Sequence, residues 1–181
     1  MNKKLKILLS SYSMFILASG LLGPIYAVFV ENIGGDLVTA GSAYGLFSIV
    51  TGLMILFISR WEDRIKHQEK LILVGFCLSA IGFLGYLFIQ LPWHLFVVQI
   101  VLGMAAAIRD PAYDSIYSKN LDKGKFASEW GMWEAMYYIL TALAAIIGGI
   151  MAKFYGFRML FIIMFALSII GIFISIRLIK T

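Results

Sequence analysis

The sequence predicts an all-α polytopic membrane protein, a single bundle of six transmembrane helices over residues 1–181. Three observations lead there. Hydrophobic residues make up 61% of the chain, mean hydropathy is +0.91, and only 14% of residues are charged. A soluble domain of this size cannot hide so much apolar surface. The apolar residues fall in six runs, each near the roughly 20 residues that span a bilayer. The cations sit in short connections between those runs, so the net charge of +5 reads as membrane topology and not as a nucleic-acid partner.

The predicted helices cover about 7–31, 38–60, 70–90, 93–118, 127–153 and 157–178. The basic start, MNKKLK, resembles a signal peptide. The apolar stretch continues to about Val30 without a clear cleavage site, which predicts a retained helix. Cys77 is the only cysteine, so no internal disulfide forms. With the N-terminus inside, twelve cations lie on the cytoplasmic side and only Lys153 and Arg158 on the other. That bias predicts an integral protein of the cell membrane with both termini cytoplasmic.

The first helix carries Tyr12, Ser19, Gly23 and Tyr26 on one face, a stripe suited to a cavity wall, and Pro24 predicts a kink. The second carries Gly41, Gly45, Ser48 and Gly52 on one face. Small residues let helix backbones approach closely in lipid, so this stripe predicts a dimerising or sliding surface. The loop 60–70 is charged and reads as solvated, with Trp61 as an interfacial anchor. The third and sixth helices are apolar all round and are expected to face lipid.

The fourth helix holds Arg109, Asp110 and Asp114 within six positions of an otherwise apolar run. A charge near the bilayer centre costs at least about 2.5–3.5 kcal/mol, so these groups need water or partners. Gln99, Tyr113 and Tyr117 share their side of the helix, and Pro111 frees a backbone carbonyl beside them. On the fifth helix Glu134 lies about two turns in, with Trp130 and Tyr138 on its side. Farther along, Ala145, Gly148, Gly149 and Ala152 form a second small-residue face. Arg109, Asp114 and Glu134 are expected to share one polar cavity, with Asp110 as a local partner of the arginine.

Two short matches recur in order. Pro24-Ile25-Tyr26 returns as Pro111-Ala112-Tyr113, and Ser42-Ala43-Tyr44-Gly45 as Ser128-Glu129-Trp130-Gly131. Their similar separations suggest two related three-helix units, and an odd helix count makes such units inverted repeats.

With these features the chain resembles one N-terminal-type half of a major facilitator superfamily transporter. Asp63 and Arg64 match the aspartate and arginine of that family's loop between second and third helices, with Ser59 and Lys66 in place of its glycines. Ile108–Ser118 resembles a fourth-helix segment of some members, and Gly148-Gly149 followed by YGFRMLF resembles the connection from fifth to sixth helix. The resemblance implies a half-size secondary transporter of a small solute, working by alternating access. Within such a transporter, the polar faces read above make Arg109, Asp110, Asp114, Glu134, Tyr26, Tyr113, Trp130 and Tyr138 the candidate binding or coupling residues. The resemblance implies Asp63 and Arg64 as a cytoplasmic gate. A homodimer or a second six-helix half would complete the cavity, with Gly41, Gly45, Ser48 and Gly52 of one copy meeting Ala145, Gly148, Gly149 and Ala152 of the other. The four ionisable groups sum to −2, so a proton on one carboxylate makes proton coupling physically possible.

A second class stays open: a non-transporting membrane subunit or assembly factor, or an inactive truncated transporter, in which the charges are buried ion pairs. No metal-ligand spacing, nucleotide loop or nucleophile–base arrangement stands out, so neither a cofactor nor a metal is expected. An enzyme is the class least supported.

Overall fold

The computed structural model describes residues 3–180. Every regular element among them is helical. The first predicted helix is two: α1 (Lys3–Gly20) ends before a 3-10 turn at Gly23–Ile25, and α2 (Tyr26–Asn32) resumes beyond it. Proline has no amide hydrogen to donate, so the kink expected at Pro24 takes the form of a break. Gly34, at φ 82, turns the chain toward α3 (Leu37–Glu62). Asp36 caps that helix by accepting bonds from the amide and hydroxyl of Thr39, both at 2.7 Å. Those bonds hold its carboxyl below the usual carboxylate range.

α4 (Gln68–Gly85) runs into a 3-10 turn at Tyr86–Phe88, and α5 (Pro92–Lys119) opens on a proline where no amide donor is needed. Pro111 stands inside α5 without ending it. The remaining helical run, α6, covers Phe126–Ile179, 54 residues. Its one non-helical residue is Gly156 (φ 76, ψ 168), a conformation that favours glycine. The predicted connection between fifth and sixth helices therefore shrinks to a single glycine. Both arms of α6 lie along α1: a Cβ on Gly20 would stand 2.8 Å from Ala144, and one on Gly171 would stand 3.2 Å from the Ser11 carbonyl. A straight rod of this length, roughly 80 Å, does not return to so short a helix.

Five segments are long and apolar enough to cross a membrane: Lys3–Asn32, Leu37–Glu62, Gln68–Phe88, Pro92–Lys119 and Phe126–Ile179. They form an all-helical membrane bundle. Two apolar clusters fill its interior. One gathers Leu21, Phe29, Phe83, Leu95, Phe161 and Met164. The other gathers Leu5, Leu8, Tyr12, Ile72, Phe76 and Tyr117.

Small residues set the helix seams. A Cβ on Gly75 of α4 would collide with Arg109 of α5 and lie 2.9 Å from the Ala105 carbonyl. Gly82 is similarly filled by Leu102, and Gly103 of α5 backs onto the Phe47 carbonyl of α3. This corrects the expectation that the third predicted helix simply faces lipid. Half of the apolar window of α4 is buried, against 6% of that of α3. An all-apolar composition hid the stripe Gly75, Ser79 and Gly82, which lets α4 press against α5. On the second arm of α6, the buried Ser168, Gly171 and Ser175 form a comparable stripe, with Gly171 set against α1.

The two proposed dimer faces fare differently. Around Gly41, Gly45 and Gly52 an added Cβ meets nothing within 4 Å, and Ser48 is exposed, so this face of α3 is free within the chain. Gly148 is a correction: it is buried, and a Cβ there would collide with the backbone of Leu21. Ala152 packs against the first apolar cluster and Ala145 is half-buried, whereas Gly149 meets nothing. The small face of α6 mainly serves α1, because its broken end at Gly20–Leu22 needs close cover.

Candidate functional site

The site is assembled by α1, α4 and α5 around one arginine. Gly75 brings α4 so close to α5 that the Arg109 side chain, 2% exposed, is enclosed between helices. Removing a charge from water requires that its donors be satisfied. Arg109 Nε donates to Asp110 Oδ1 at 2.7 Å, and Nη1 donates to Ser79 Oγ at 2.9 Å. The guanidinium lies over Phe15, 3.6 Å from the ring centroid, a cation–π arrangement. Tyr12 OH donates to the same Asp110 oxygen at 2.9 Å. The carboxylate thus joins α1 to α5 and neutralises the arginine.

This network opens on a cavity of about 430 Å³, lined by Tyr12, Phe15, Ser19, Phe47, Arg109 and Asp110, with Tyr137 and Thr141 of α6 on the far wall. A second cavity of about 190 Å³ shares Ser19, Gly23, Tyr44 and Phe47 with the first. Its polar end is Gln99, whose Nε2 donates to Tyr26 OH at 2.8 Å and to Tyr86 OH at 3.3 Å. Two adjoining apolar cavities, each with a polar group in its wall, make a ligand-sized space with fixed hydrogen-bonding points.

Of the residues expected to share one cavity, Arg109 and Asp110 do, and Tyr26 joins the smaller compartment. Asp114 and Glu134 line neither and are exposed, which corrects the expected triad. The cause is depth. Asp114 lies one turn beyond Asp110, and Glu134 two turns, about 10 Å, beyond Thr141. Both are past the end of the hollow.

Tyr113 is buried in an aromatic stack, 4.3 Å from Tyr12 and 4.9 Å from Trp133, and its hydroxyl has no partner among the described residues. Trp130 packs edge-on against Tyr117 at 4.8 Å, and Tyr138 is 66% exposed; neither lines a cavity. Tyr12, Ser19 and Gly23 line the cavity, as expected of the first-helix stripe, whereas Ser79 and Phe15 are site residues that the sequence reading missed. The signal for Ser79 was its place one turn after Gly75, on the side that faces Arg109.

At the α3–α4 turn Asp63 and Arg64 are exposed, but the loop is not wholly solvated as expected. Gln68 is buried; it accepts bonds from Ser115 Oγ at 2.9 Å and Lys119 Nζ at 3.0 Å. Lys4 pairs with Glu69 at 2.5 Å. These contacts tie α1, α4 and α5 together at one end. Among the described residues no group of three His, Cys, Asp or Glu side chains could hold a metal ion.

Known proteins are similar in sequence to most of the chain. YitZ of Bacillus subtilis, described as an uncharacterized MFS-type transporter, is 26% identical over 164 residues, which cover 91% of this chain and 98% of YitZ. The multidrug resistance protein MdtG of Salmonella typhimurium is 24% identical over 148 residues, 80% of this chain and 36% of that protein. MdtG of Klebsiella pneumoniae is 25% identical over 167 residues, 90% of this chain and 40% of that protein. The chain therefore spans nearly all of one relative and about two fifths of the others. The sequence profile of the Major Facilitator Superfamily, whose members are transporters and not enzymes, matches residues 8–181. On that match the chain belongs to the major facilitator superfamily.

Proposed function

We propose that the chain is a half-size secondary transporter that carries a small solute across the cell membrane by alternating access. The observation that carries the reading is the enclosed Arg109, paired with an Asp110 that faces a cavity adjoining a second one with its own polar group, Gln99. Charges are kept inside a membrane bundle at a cost that function explains and packing alone does not. YitZ, of nearly the same matched length, supports a unit of this size.

In this reading the break at Gly156 divides α6 into two spans, giving six helices as two inverted three-helix repeats with both termini cytoplasmic. Cysteines at Asn32 and Gln90 should then label from outside, and cysteines at His67 and Lys123 from inside. Asp63 and Arg64, exposed on the cytoplasmic side, would contact the second unit when the gate closes. A parallel homodimer supplies the other cavity wall. The open stripe of Gly41, Gly45, Ser48 and Gly52 is its contact on one copy, and the Ala145 and Gly149 edge its contact on the other. Cysteines at Ser48 and Ala145 should cross-link between copies in a bilayer. Asp110 is committed to Arg109, so Asp114 and Glu134 are the carboxylates left to take up a coupling proton.

The test is flux. Purified protein in liposomes under an imposed pH gradient should move at least one member of a solute panel faster than protein-free liposomes do. No flux for any solute, with the protein folded and inserted, would reject transport.

A further inference from the structure

The cavity's geometry also selects a class of solute, an inference that rests on the cavity being the transport site. Arg109 is the group most readily taken for an anion receptor, yet it has little surface to offer. It is 2% exposed, Nε and Nη1 are engaged by Asp110 and Ser79, and one guanidinium face is covered by Phe15 at 3.6 Å. Asp110 is the reverse. Its side chain is 37% exposed, and the bonds from Arg109 and Tyr12 both fall on Oδ1. That leaves Oδ2 as the oxygen without either of these bonds.

The formal charges of the pair cancel, but their exposure does not. Both line the cavity, but the carboxylate presents far more side-chain surface than the arginine, 37% against 3%, and Coulomb attraction falls with separation. The same cavity is lined by the aromatic rings of Phe47 and Tyr137 as well as Tyr12 and Phe15, and aromatic rings attract cations through their negative faces. We propose that the cavity binds an organic cation, its charged head at Asp110 Oδ2 and its apolar body in the smaller compartment beside Phe83 and Met164.

Tetraphenylphosphonium and tetraphenylborate have the same shape and opposite charge, so the pair isolates this claim. Binding to the purified chain would be followed by equilibrium dialysis, with protein-free micelles subtracted. The phosphonium should bind at least about tenfold more tightly than the borate. Asp110→Asn should weaken phosphonium binding about tenfold, Asp110→Glu should retain most of it, and Glu31→Gln, outside the cavity, should leave it unchanged. Equal or tighter borate binding overturns the proposal, as does full phosphonium binding by folded Asp110→Asn. If Asp110→Asn fails to fold, the charge comparison in the parent chain decides alone. Tight, Asp110-dependent phosphonium binding in a chain that moves no solute upholds the cation site and overturns transport. Borate preference in a chain that does transport overturns the cation site alone.

Discussion

The seam between α4 and α5 and the outward face of α3 are both lined with small residues, and only the seam is closed. At Gly75 the neighbouring helix comes so near that a single added carbon collides with Arg109. At Gly41, Gly45 and Gly52 the same carbon meets nothing within 4 Å. The seam converts its small residues into enclosure of a charge. The α3 face is left with exposed Leu53, Leu56 and Phe57 nearby, apolar surface for lipid or for a second unit. A stripe of small residues thus states that a backbone can come close, and leaves the partner unstated.

The largest expected effect comes from making the same substitution on both sides of this comparison. Gly75→Leu should abolish folded, monodisperse protein, because overpacking a closed seam strains both helices and displaces Arg109. Gly45→Leu should fold as the parent does and weaken only assembly, read as dimer fraction in a bilayer. Loss of folding in Gly45→Leu would show that the face is covered within the chain. Gly148→Leu sharpens the contrast: it stands in the sequence like a dimer-face residue, but its contact with Leu21 predicts a folding defect like that of Gly75→Leu.

Next in size is Arg109→Ala. Stripping one partner from a buried pair costs up to about 3–5 kcal/mol, and the exposure of Asp110 to the cavity places this site at or below the lower end. The variant should lose transport and melt earlier, with stability measured by thermal unfolding in detergent. The smallest effect belongs to Asp114→Asn and Glu134→Gln, which lie beyond the cavity. Each should fold normally and bind solute normally. At least one should flatten the dependence of flux on pH, since a carboxamide cannot carry the coupling proton. Unchanged pH dependence in both variants would remove them as coupling groups.

Much of this was legible in the sequence. Hydropathy and length marked the membrane helices, Pro24 marked a kink, and three charges in an apolar run marked Arg109 as needing water or partners. What was not legible was depth and partner. A helical wheel gives direction around the axis, so Asp114 and Glu134 were expected in one cavity with Arg109, although they do not line it. The all-apolar look of α4 concealed Gly75 and Ser79, because small residues carry no hydropathy signal of their own. Gly148 read as an outward contact because the break in the first span, which brings Leu21 against it, is a tertiary fact. Gly156 gave only a local hint, and its positive φ is what compresses a predicted loop to one residue.

The account centres on solute passing a cavity governed by Asp110, and flux through paired parent and Asp110→Asn proteoliposomes tests it most directly. Asparagine keeps an acceptor for Arg109 and Tyr12, so the variant should insert and retain helicity while losing the carboxylate charge. The predicted result is solute flux by the parent above protein-free vesicles, reduced at least about tenfold in Asp110→Asn, a loss of roughly 1.4 kcal/mol or more in the limiting step. Equal flux in the two, from equally inserted protein, would contradict the assignment of this cavity to transport.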